Sequence, residues 1–479
     1  MQLSHTLSRM SATFDEPNLV SATGLVPLMA LAQKAGLRRL GDEHLSVPTD
    51  KGSNPGLKLA SLVAGMAAGA DSIDDMALLR HGGMGKVFER LYAPSTLGSF
   101  LRKFTFGHVR QADAVASRFL LNLAEGTTVL GATQEAGTVM VDIDDTIAEV
   151  HGYQKQGAGF GYSGVRGLNA LLGTVSAEGP GGFAPVIAAQ RLRRGSAGSP
   201  RGAARLASDV LALVARTHLA GRGVLVRADA GFYSHVLVTT VYSHVLVTTV
   251  LKAGANVSIT ARMDPAVKRA IATIAEQAWR PIKYTDAIYD QASGNWVSRA
   301  EVAEIPFTAF TSKKKTDQVP GRLVVRRIPE LNPKKAQGQA TLFDTWRFHA
   351  FFTTTPAEER GTVLADQVHR RHAIIENAHA DLKASALAHM PSGLFTANAA
   401  WLVAAVMAFN LTRAGATLTA TPSLVRATTP TIRRKLINIP ARIASSARRL
   451  RLHLPRDWPW EQAWTRLYNA ACATPAVPT

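Results

Sequence analysis

The stretch that decides the fold is GTVMVDIDDTIAEVHGY, residues 137–153. The β-branched residues of its first half favour a strand. Side chains alternate between the two faces of a strand, so Asp142 and Asp144 point to one face and Asp145 to the other. Two carboxylates on one face of an apolar strand are costly to bury unless positive charge lies between them. The pattern therefore predicts oxygen ligands for Mg²⁺ or Mn²⁺. The alternative is an edge strand with solvated acids.

The composition indicates a globular and strongly basic chain. It has 479 residues, 46% of them hydrophobic, with a formal net charge of +19 and an isoelectric point near 10.3. This length suffices for two or three domains with cores of their own. The charge predicts a polyanionic partner, most often nucleic acid. The excess is densest at the C-terminal end, where residues 421–479 carry 10 basic and 2 acidic residues.

Several features bear on the compartment. The one cysteine, Cys472, allows no disulfide within the chain, which fits a reducing cytoplasm. The N-terminus, MQLSHTLSRM, lacks the apolar core of a signal peptide. Apolar runs such as residues 399–409 are too short to span a bilayer. The glycine-rich residues 157–167 are not followed by a helical pattern, so no nucleotide cofactor is expected.

Hydrophobic periodicity divides the chain into four parts. They are a helical N-terminal domain that we interpret as DNA-binding (1–130), an α/β core (131–263 and 346–390), a β-rich insertion (264–345) and a basic helical C-terminal region (391–479). The core contains three strands, a helix, a strand that ends at Asp229, a helix and a strand. This is the order of an RNase H-like fold. The predicted elements are strands at 138–150, 168–175, 185–192, 223–228, 256–262 and 346–354, and helices at 203–219, 357–385 and 396–414.

A polar stripe follows on the predicted helix 357–385. If the helix is continuous, five polar residues fall on one face: His369, His372, Glu376, His379 and Lys383. One acid among several bases suits a metal ligand flanked by phosphate-binding groups. The alternative is a solvated helix face, which would show the same pattern of residues. The two strand-end acids favour the first interpretation.

Residues 233–250 contain YSHVLVTTV twice in succession. A repeat of this length is too short for a solenoid unit, so we interpret it as an in-frame duplication or a sequence error. A helical second copy would turn everything beyond it by half a turn. Looping one copy out would cost little closure entropy, and we expect that solution.

Three blocks carry a family resemblance: VDIDDTIAEVHGYQKQGAGFGYSGVRGLNALL, LVRADAGFY and HAIIENAHADLK. In this order they resemble the core of bacterial DDE insertion-sequence transposases. The most similar group is named after insertion sequence thirteen-eighty, within the insertion-sequence-four-like superfamily. The resemblance runs from about residue 12 to residue 470.

The resemblance implies a cut-and-paste DNA transposase in which Asp144, Asp229 and Glu376 hold two Mg²⁺ ions, or Mn²⁺ in their place. Asp142 is the second choice on its strand. The superfamily has a Tyr, Arg, Glu, Lys signature along the catalytic helix. Glu376 and Lys383 match it, whereas His369 and His372 stand at the Tyr and Arg positions.

The implied partners are duplex DNA with terminal inverted repeats, target DNA and a second copy of the chain on paired ends. The implied location is the bacterial cytoplasm, at the nucleoid. Predicted phosphate contacts are His369, His372, Lys383, Arg433, Arg434, Lys435, Arg448, Arg449 and Arg451.

Two other functions stay open at this point. Residues 142–146, DIDDT, also fit the D-x-D-x-T motif of haloacid-dehalogenase-like phosphatases, with Asp142 as nucleophile and Asp144 as general acid. The later acidic motif of those enzymes has no adjacent Asp pair to match it here. A decayed transposase that binds DNA without cutting it is the other alternative, which the duplication keeps open.

Overall fold

The structure is a computed structural model. It describes the chain except residues 2–3, 49, 132–136, 153, 162, 178–181, 234–236, 283–287, 291–294, 298–299, 330–345, 448 and 474–479, and it describes the backbone alone for residues 51, 237–242, 288–290, 295–297 and 329. The helices are α1 (Leu25–Lys34), α2 (Leu37–His44), α3 (Pro55–Ala68), α4 (Met84–Val87), α5 (Pro94–Arg102), α6 (Phe106–Gly126), α7 (Ala203–Val214), α8 (Leu237–Lys252), α9 (Pro265–Ala272), α10 (Thr362–Arg370), α11 (Ile374–Lys383), α12 (Phe395–Thr417), α13 (Pro422–Val425), α14 (Thr429–Ile432) and α15 (Glu461–Cys472). A 3₁₀ turn at Arg371–Ala373 joins α10 to α11, another follows Asp229 at Ala230–Phe232, and a π-helical turn spans Arg433–Ile437.

The strands form two main sheets. They are β1 (Leu19–Val20), β2 (Val139–Glu149), β3 (Gly159–Phe160), β4 (Arg166–Ala177), β5 (Phe183–Arg194), β6 (Val224–Ala228), β7 (Asn256–Ala261), β8 (Arg280–Ile282), β9 (Ile288–Asp290), β10 (Asn295–Val297), β11 (Ala300–Ala309), β12 (Val319–Pro329), β13 (Trp346–Thr353), β14 (Ala441–Ser446) and β15 (Arg449–His453). Within the described residues, ten of them make one mixed sheet in the order β3-β4-β2-β6-β7-β13-β12-β11-β8, with β5 also paired to β4. The second sheet consists of β1, β14 and β15.

The predicted element order of the core is confirmed. β2, β4 and β5 are antiparallel neighbours, α7 follows, and β6 and β7 then add parallel to β2. β2 therefore lies inside the sheet, with β4 on one side and β6 on the other, so the edge-strand alternative for its acids is wrong. Val210 of α7 covers the face of Gly173, which is the register partner of Ile143. The opposite face, which carries Asp142 and Asp144, is covered by the residues of 371–383.

The predicted β-rich insertion extends this sheet. After α9, strands β8, β11 and β12 continue it antiparallel, and β13 closes the connection by pairing with β7, Ala350 opposite Ala261. Residues 330–345 lie outside the described part. The described strands of the insertion thus extend the core sheet from its edge, and β9 and β10 form a separate small pair.

The predicted helix 357–385 is interrupted. α10 ends at Arg370, and the 3₁₀ turn Arg371–Ala373 precedes α11. A 3₁₀ turn has 3.0 residues per turn where an α-helix has 3.6. Side chains before the turn therefore face a different strand from those after it, which the continuous-helix prediction did not anticipate.

The two terminal regions pack against each other. The backbone N–H of Thr23 donates to the Ile439 carbonyl, and that of Gly24 to the Ile437 carbonyl, each at 3.0 Å. α12 packs on α3 and α6, and α15 packs on α1. The C-terminal region is only partly helical, because the hairpin of β14 and β15 pairs with β1. The prediction of a helical C-terminal region is corrected for residues 441–453, where Ile443 and Leu452 lie opposite each other in the hairpin.

One helix in the described part, α12, is long and apolar enough to cross a membrane. Most of it is buried inside the protein, as in a core helix, and it carries the buried polar residues Asn398, Asn410 and Arg413. The apolar run 399–409 lies inside this helix of 23 residues, which extends the predicted helix 396–414 slightly at both ends. Burial by other helices accounts for its apolar surface.

Candidate active site

Asp144 and Asp229 come together because β2 and β6 run parallel and β6 ends where Asp144 follows on β2. The register of β2 and β6 pairs Asp142 with Arg227 and continues for one further pair. The next step places Asp144 beside Asp229, on strands about 4.8 Å apart. In parallel sheets this end, beyond the carboxyl ends of the strands, is where ligands bind.

These two carboxyl groups are short of positive charge. Desolvation, and next the charge of Asp229, raise the pKa of Asp144 to about 7. Burial also raises the pKa of Asp229, although the N–H of Gly231 donates to its Oδ1 at 2.8 Å. A Cβ at Gly231 would lie 2.9 Å from that oxygen, so a larger residue there would displace the Asp229 carboxylate. The charge of His372 lowers the pKa values of Asp144 and Asp229, but both stay above the ordinary value. A divalent cation would relieve the same repulsion.

Asp142 lies on the same face but has other partners. Its side chain is fully buried. Arg227 donates from Nε to Oδ1 at 2.7 Å and from Nη2 to Oδ2 at 2.9 Å, and His372 Nδ1 lies 2.9 Å from Oδ1. Burial opposes ionisation, but Arg227 and His372 outweigh it and hold the pKa of Asp142 below its ordinary value. Both oxygens are thus engaged inside the protein. This geometry argues against Asp142 as a metal ligand and against the phosphatase nucleophile.

α11 brings a second row of polar side chains to this face. His379 Nδ1 lies 3.6 Å from Asp144 Oδ2. Burial, and next the charge of Lys383, lower the pKa of His379 to about 4, so its ring is neutral near pH 7. Glu376 precedes His379 by three residues and Lys383 follows by four, which puts all three on one side of the helix. Glu376 and Lys383 are exposed. They lie about one turn to either side of the contact between His379 and Asp144.

The two other histidines of the stripe have different surroundings. The His369 ring stacks on Phe351 at 4.1 Å, and its nitrogens bond the hydroxyls of Ser258 (2.8 Å) and Thr260 (3.0 Å). Burial, and next His372, hold the pKa of His369 well below its usual range. His369 is therefore a neutral link between α10 and β7, and the predicted phosphate contact is corrected. His372, inside the 3₁₀ turn, instead faces Asp142.

The site is not a closed metal cage. In the part of the chain that the structure describes, no three His, Cys, Asp or Glu side chains are gathered closely enough to hold a metal ion. The Nε2 atoms of His372 and His379 are buried and without a hydrogen-bond partner. Asp144 and Asp229 offer adjacent carboxylates, and Glu376 offers a third from an exposed helix position. This all-oxygen, partly open set fits a hard divalent cation that keeps several waters, as Mg²⁺ does.

Sequence reasoning missed the buried groups that hold the acids. Arg227 was a readable signal, because a lone arginine inside the apolar run LVRA requires a buried anion. A second cluster lies on the other face of β2, where Arg193 donates to Asp145 at 2.8 Å and to the Asn169 oxygen at 2.7 Å. The same guanidinium donates to the carbonyl of Ser199 at 3.0 Å. It therefore ties the loop next to Gly231 to the sheet.

Of the basic residues predicted to contact phosphate in the C-terminal region, some make contacts inside the protein and others are exposed. Arg433 donates to the carbonyls of Ala67 (3.2 Å) and Met66 (3.4 Å) at the end of α3, so its predicted phosphate contact is corrected to a helix-capping role. Lys435 lies 4.8 Å from the ring centroid of Trp460. Exposed positions are occupied by Arg434 and, on β15, by Arg449 and Arg451. Arg448 lies outside the described residues.

The structure thus combines a mixed α/β sheet, an acid pair on two adjacent parallel segments and a third acid on the helix packed alongside. The chain matches the family described as transposase DDE domain group 1 over residues 4–474, nearly its whole length. It therefore belongs to this family of DNA transposases, enzymes that act on DNA. No match among curated proteins was found.

Proposed function

We propose that this protein is a cut-and-paste transposase with an RNase H-like core, of the group named after insertion sequence thirteen-eighty. It would cleave DNA at transposon ends and transfer the 3′-hydroxyl into target DNA. One observation carries the proposal: Asp144, midway along β2, lies beside Asp229, which directly follows β6, and both carboxyl groups have raised pKa values. The exposed Glu376 on α11 supplies the third acid.

Asp144, Asp229 and Glu376 would hold two Mg²⁺ or Mn²⁺ ions. When bound, such ions lower the pKa of an attacking hydroxyl and stabilise a leaving oxygen. The protein's own part is to hold Asp144 next to Asp229 and to fix its rotamer. The backbone N–H of Asp145 does the second by donating to Asp144 Oδ1 at 2.7 Å. Neutral His379 packs against the other oxygen without adding charge.

The remaining polar groups suit the DNA strand. Lys383 would neutralise a phosphate as a compact point charge. His372, whose Nδ1 is anchored on Asp142, would contact a phosphate with the opposite edge of its ring. The nucleophile is first water and then the 3′-hydroxyl, so no covalent protein intermediate is required. We propose terminal-repeat and target duplexes as partners, a homodimer on paired ends, and a nucleoid location.

The test is nicking of a duplex that carries the DNA flanking the gene, with Mg²⁺ or Mn²⁺ added. Asp144→Asn, Asp229→Asn and Glu376→Gln are each expected to abolish nicking while affinity for the duplex largely persists. Each change keeps the side-chain shape and removes one ligand charge. Near-normal nicking by any variant would remove that residue from the site.

The inactive, DNA-binding alternative is addressed by the wild-type protein in the same assay. Glu359→Gln, on an exposed glutamate before α10, is the matched control and should nick normally. Binding of the flanking duplex without metal-dependent nicking by the wild type would support the inactive remnant.

A further inference from the structure

The hairpin of β14 and β15 is held at its base and exposed at its tip. At the base, β14 pairs with β1, Ala441 opposite Val20, and Ile443 is buried. Beyond Ile443 both strands are exposed, from Ala444 to Ser446 and from Arg449 to Arg451. Three residue pairs at about 3.4 Å per residue give a free arm of roughly 10 Å including its turn.

One face of this arm is cationic. The register pairs Arg442 with His453, Ala444 with Arg451, and Ser446 with Arg449. Directly paired residues share a face, so three arginines and a histidine line one side, with only small side chains between them. All four basic residues are exposed. In the part of the chain described, Arg449 and Arg451 have no ion pair, and Arg442 lies 3.7 Å from Glu16.

The shape and the charge of the arm point to the same partner. The major groove of B-DNA is about 12 Å wide and 8.5 Å deep and admits a two-stranded β-ribbon. The arm has about that depth and carries the charge that complements a polyanion. An arginine in that position can donate two hydrogen bonds to O6 and N7 of guanine, which a phosphate contact alone does not require.

We propose that the β14–β15 arm enters the major groove of transposon-end DNA and reads base edges through Arg449 and Arg451. This inference rests on the proposed function for the identity of the duplex. It goes further because it assigns sequence recognition to a hairpin of the C-terminal region. The small residues Ala444 and Ser446 would let the strands approach the base pairs closely.

The experiment measures binding of the flanking duplex against an unrelated duplex, together with protection of guanine N7 from dimethyl sulfate. Replacing Arg449 and Arg451 by Ala is expected to lower the ratio of the two affinities at least about tenfold, since a bidentate contact to a base discriminates by about 1–3 kcal/mol. N7 protection should be lost. Replacing both by Lys should keep most non-specific affinity yet lose the ratio, because lysine lacks the two-pronged geometry.

The matched control replaces two exposed arginines of the same region that lie off the arm, Arg426 and Arg456, by Ala. It removes equal charge and should lower both affinities alike with N7 protection retained. An unchanged ratio and unchanged N7 protection in the Arg449 and Arg451 variants would overturn the proposal, as would equal effects of the control pair. Metal-dependent nicking is scored separately. N7 protection that depends on Arg449 and Arg451, without nicking, would contradict the proposed function but not this inference. Nicking without such N7 protection would contradict this inference but not the proposed function.

Discussion

At the scale of single residues, Asp142 and Asp144 show how two similar side chains reach opposite states. Both leave the same face of β2. Asp142 lies opposite Arg227 in the parallel register and becomes the buried anion of an ion pair. Asp144 lies two residues further along β2, where β6 has ended and Asp229 brings a second negative charge. The first aspartate stabilises the fold, and the second is left available for chemistry.

Asp144→Asn is expected to stabilise the metal-free protein at pH 8. The folded-state pKa of Asp144 is about 7 against an ordinary 3.8, so its contribution to stability is present below about pH 4 and is lost as the pH rises towards 7. The amide of the Asp144→Asn variant does not ionise, so the variant does not lose this stability as the pH rises. We expect a gain on the order of 2 kcal/mol at pH 8 and a smaller one at pH 5. Urea unfolding in EDTA at both pH values measures it.

Asp142→Asn is the paired comparison. It leaves Arg227 buried beside a neutral amide, which should cost roughly 3 kcal/mol at pH 8.

Added Mn²⁺ should raise the unfolding midpoint of the wild type and not that of Asp144→Asn. An Asp144→Asn protein no more stable than the wild type at pH 8 in EDTA would contradict the assignment of repulsion to this residue.

At the scale of elements, α8 shows how the duplication is absorbed. The helix runs through the end of the first copy and all of the second. Ser243, Leu246, Val247 and Val250 of the second copy are buried. The expected looped-out copy is therefore corrected. Because the copies are identical, the second one can pack against the core in the position just before β7. The first copy then extends the helix at its N-terminal end.

Deletion of residues 242–250 is expected to raise the melting temperature and metal-dependent nicking. Deleting either copy produces the same sequence, so every docked residue type is retained. The first copy adds the helical residues 237–241, roughly 8 Å of helix, ahead of the docked second copy. We expect about 1 kcal/mol of stabilisation, measured by thermal unfolding. Equal or lower stability and activity in the shortened chain would show that the extension is part of the fold.

At the scale of the whole molecule, the chain ends form one packed unit beside the core. Just before α1, the backbone N–H groups of Thr23 and Gly24 donate to carbonyls at the end of the π-helical turn and just after it. Gly24 lies at the closest approach, where a Cβ would meet the Leu436 carbonyl oxygen at 1.8 Å and Ile437 Cα at 2.6 Å. Residues more than 400 apart in sequence are thus joined at a site where a single methyl group cannot fit.

Gly24→Ala is therefore expected to destabilise the protein by about 3 kcal/mol or more, because backbone atoms must move to admit the methyl group. Limited proteolysis should then release the C-terminal region first. Gly85→Ala is the matched control, since Gly85 has no atom within 4 Å of its Cβ position and α4 is helical there. Similar stability of the two variants would mean that the termini are not tightly packed.

The sequence by itself determined the order of the core elements and the three candidate acids. Periods of 2 and 3.6 residues are local properties, and Asp144, Asp229 and Glu376 stand in recognisable local motifs. Only the tertiary structure decided which aspartate of β2 is paired, because that depends on the register with β6. It also decided that His369 bonds Ser258 and Thr260 and that Arg433 caps α3. These outcomes depend on contacts between distant segments, whose geometry no local pattern of residues encodes.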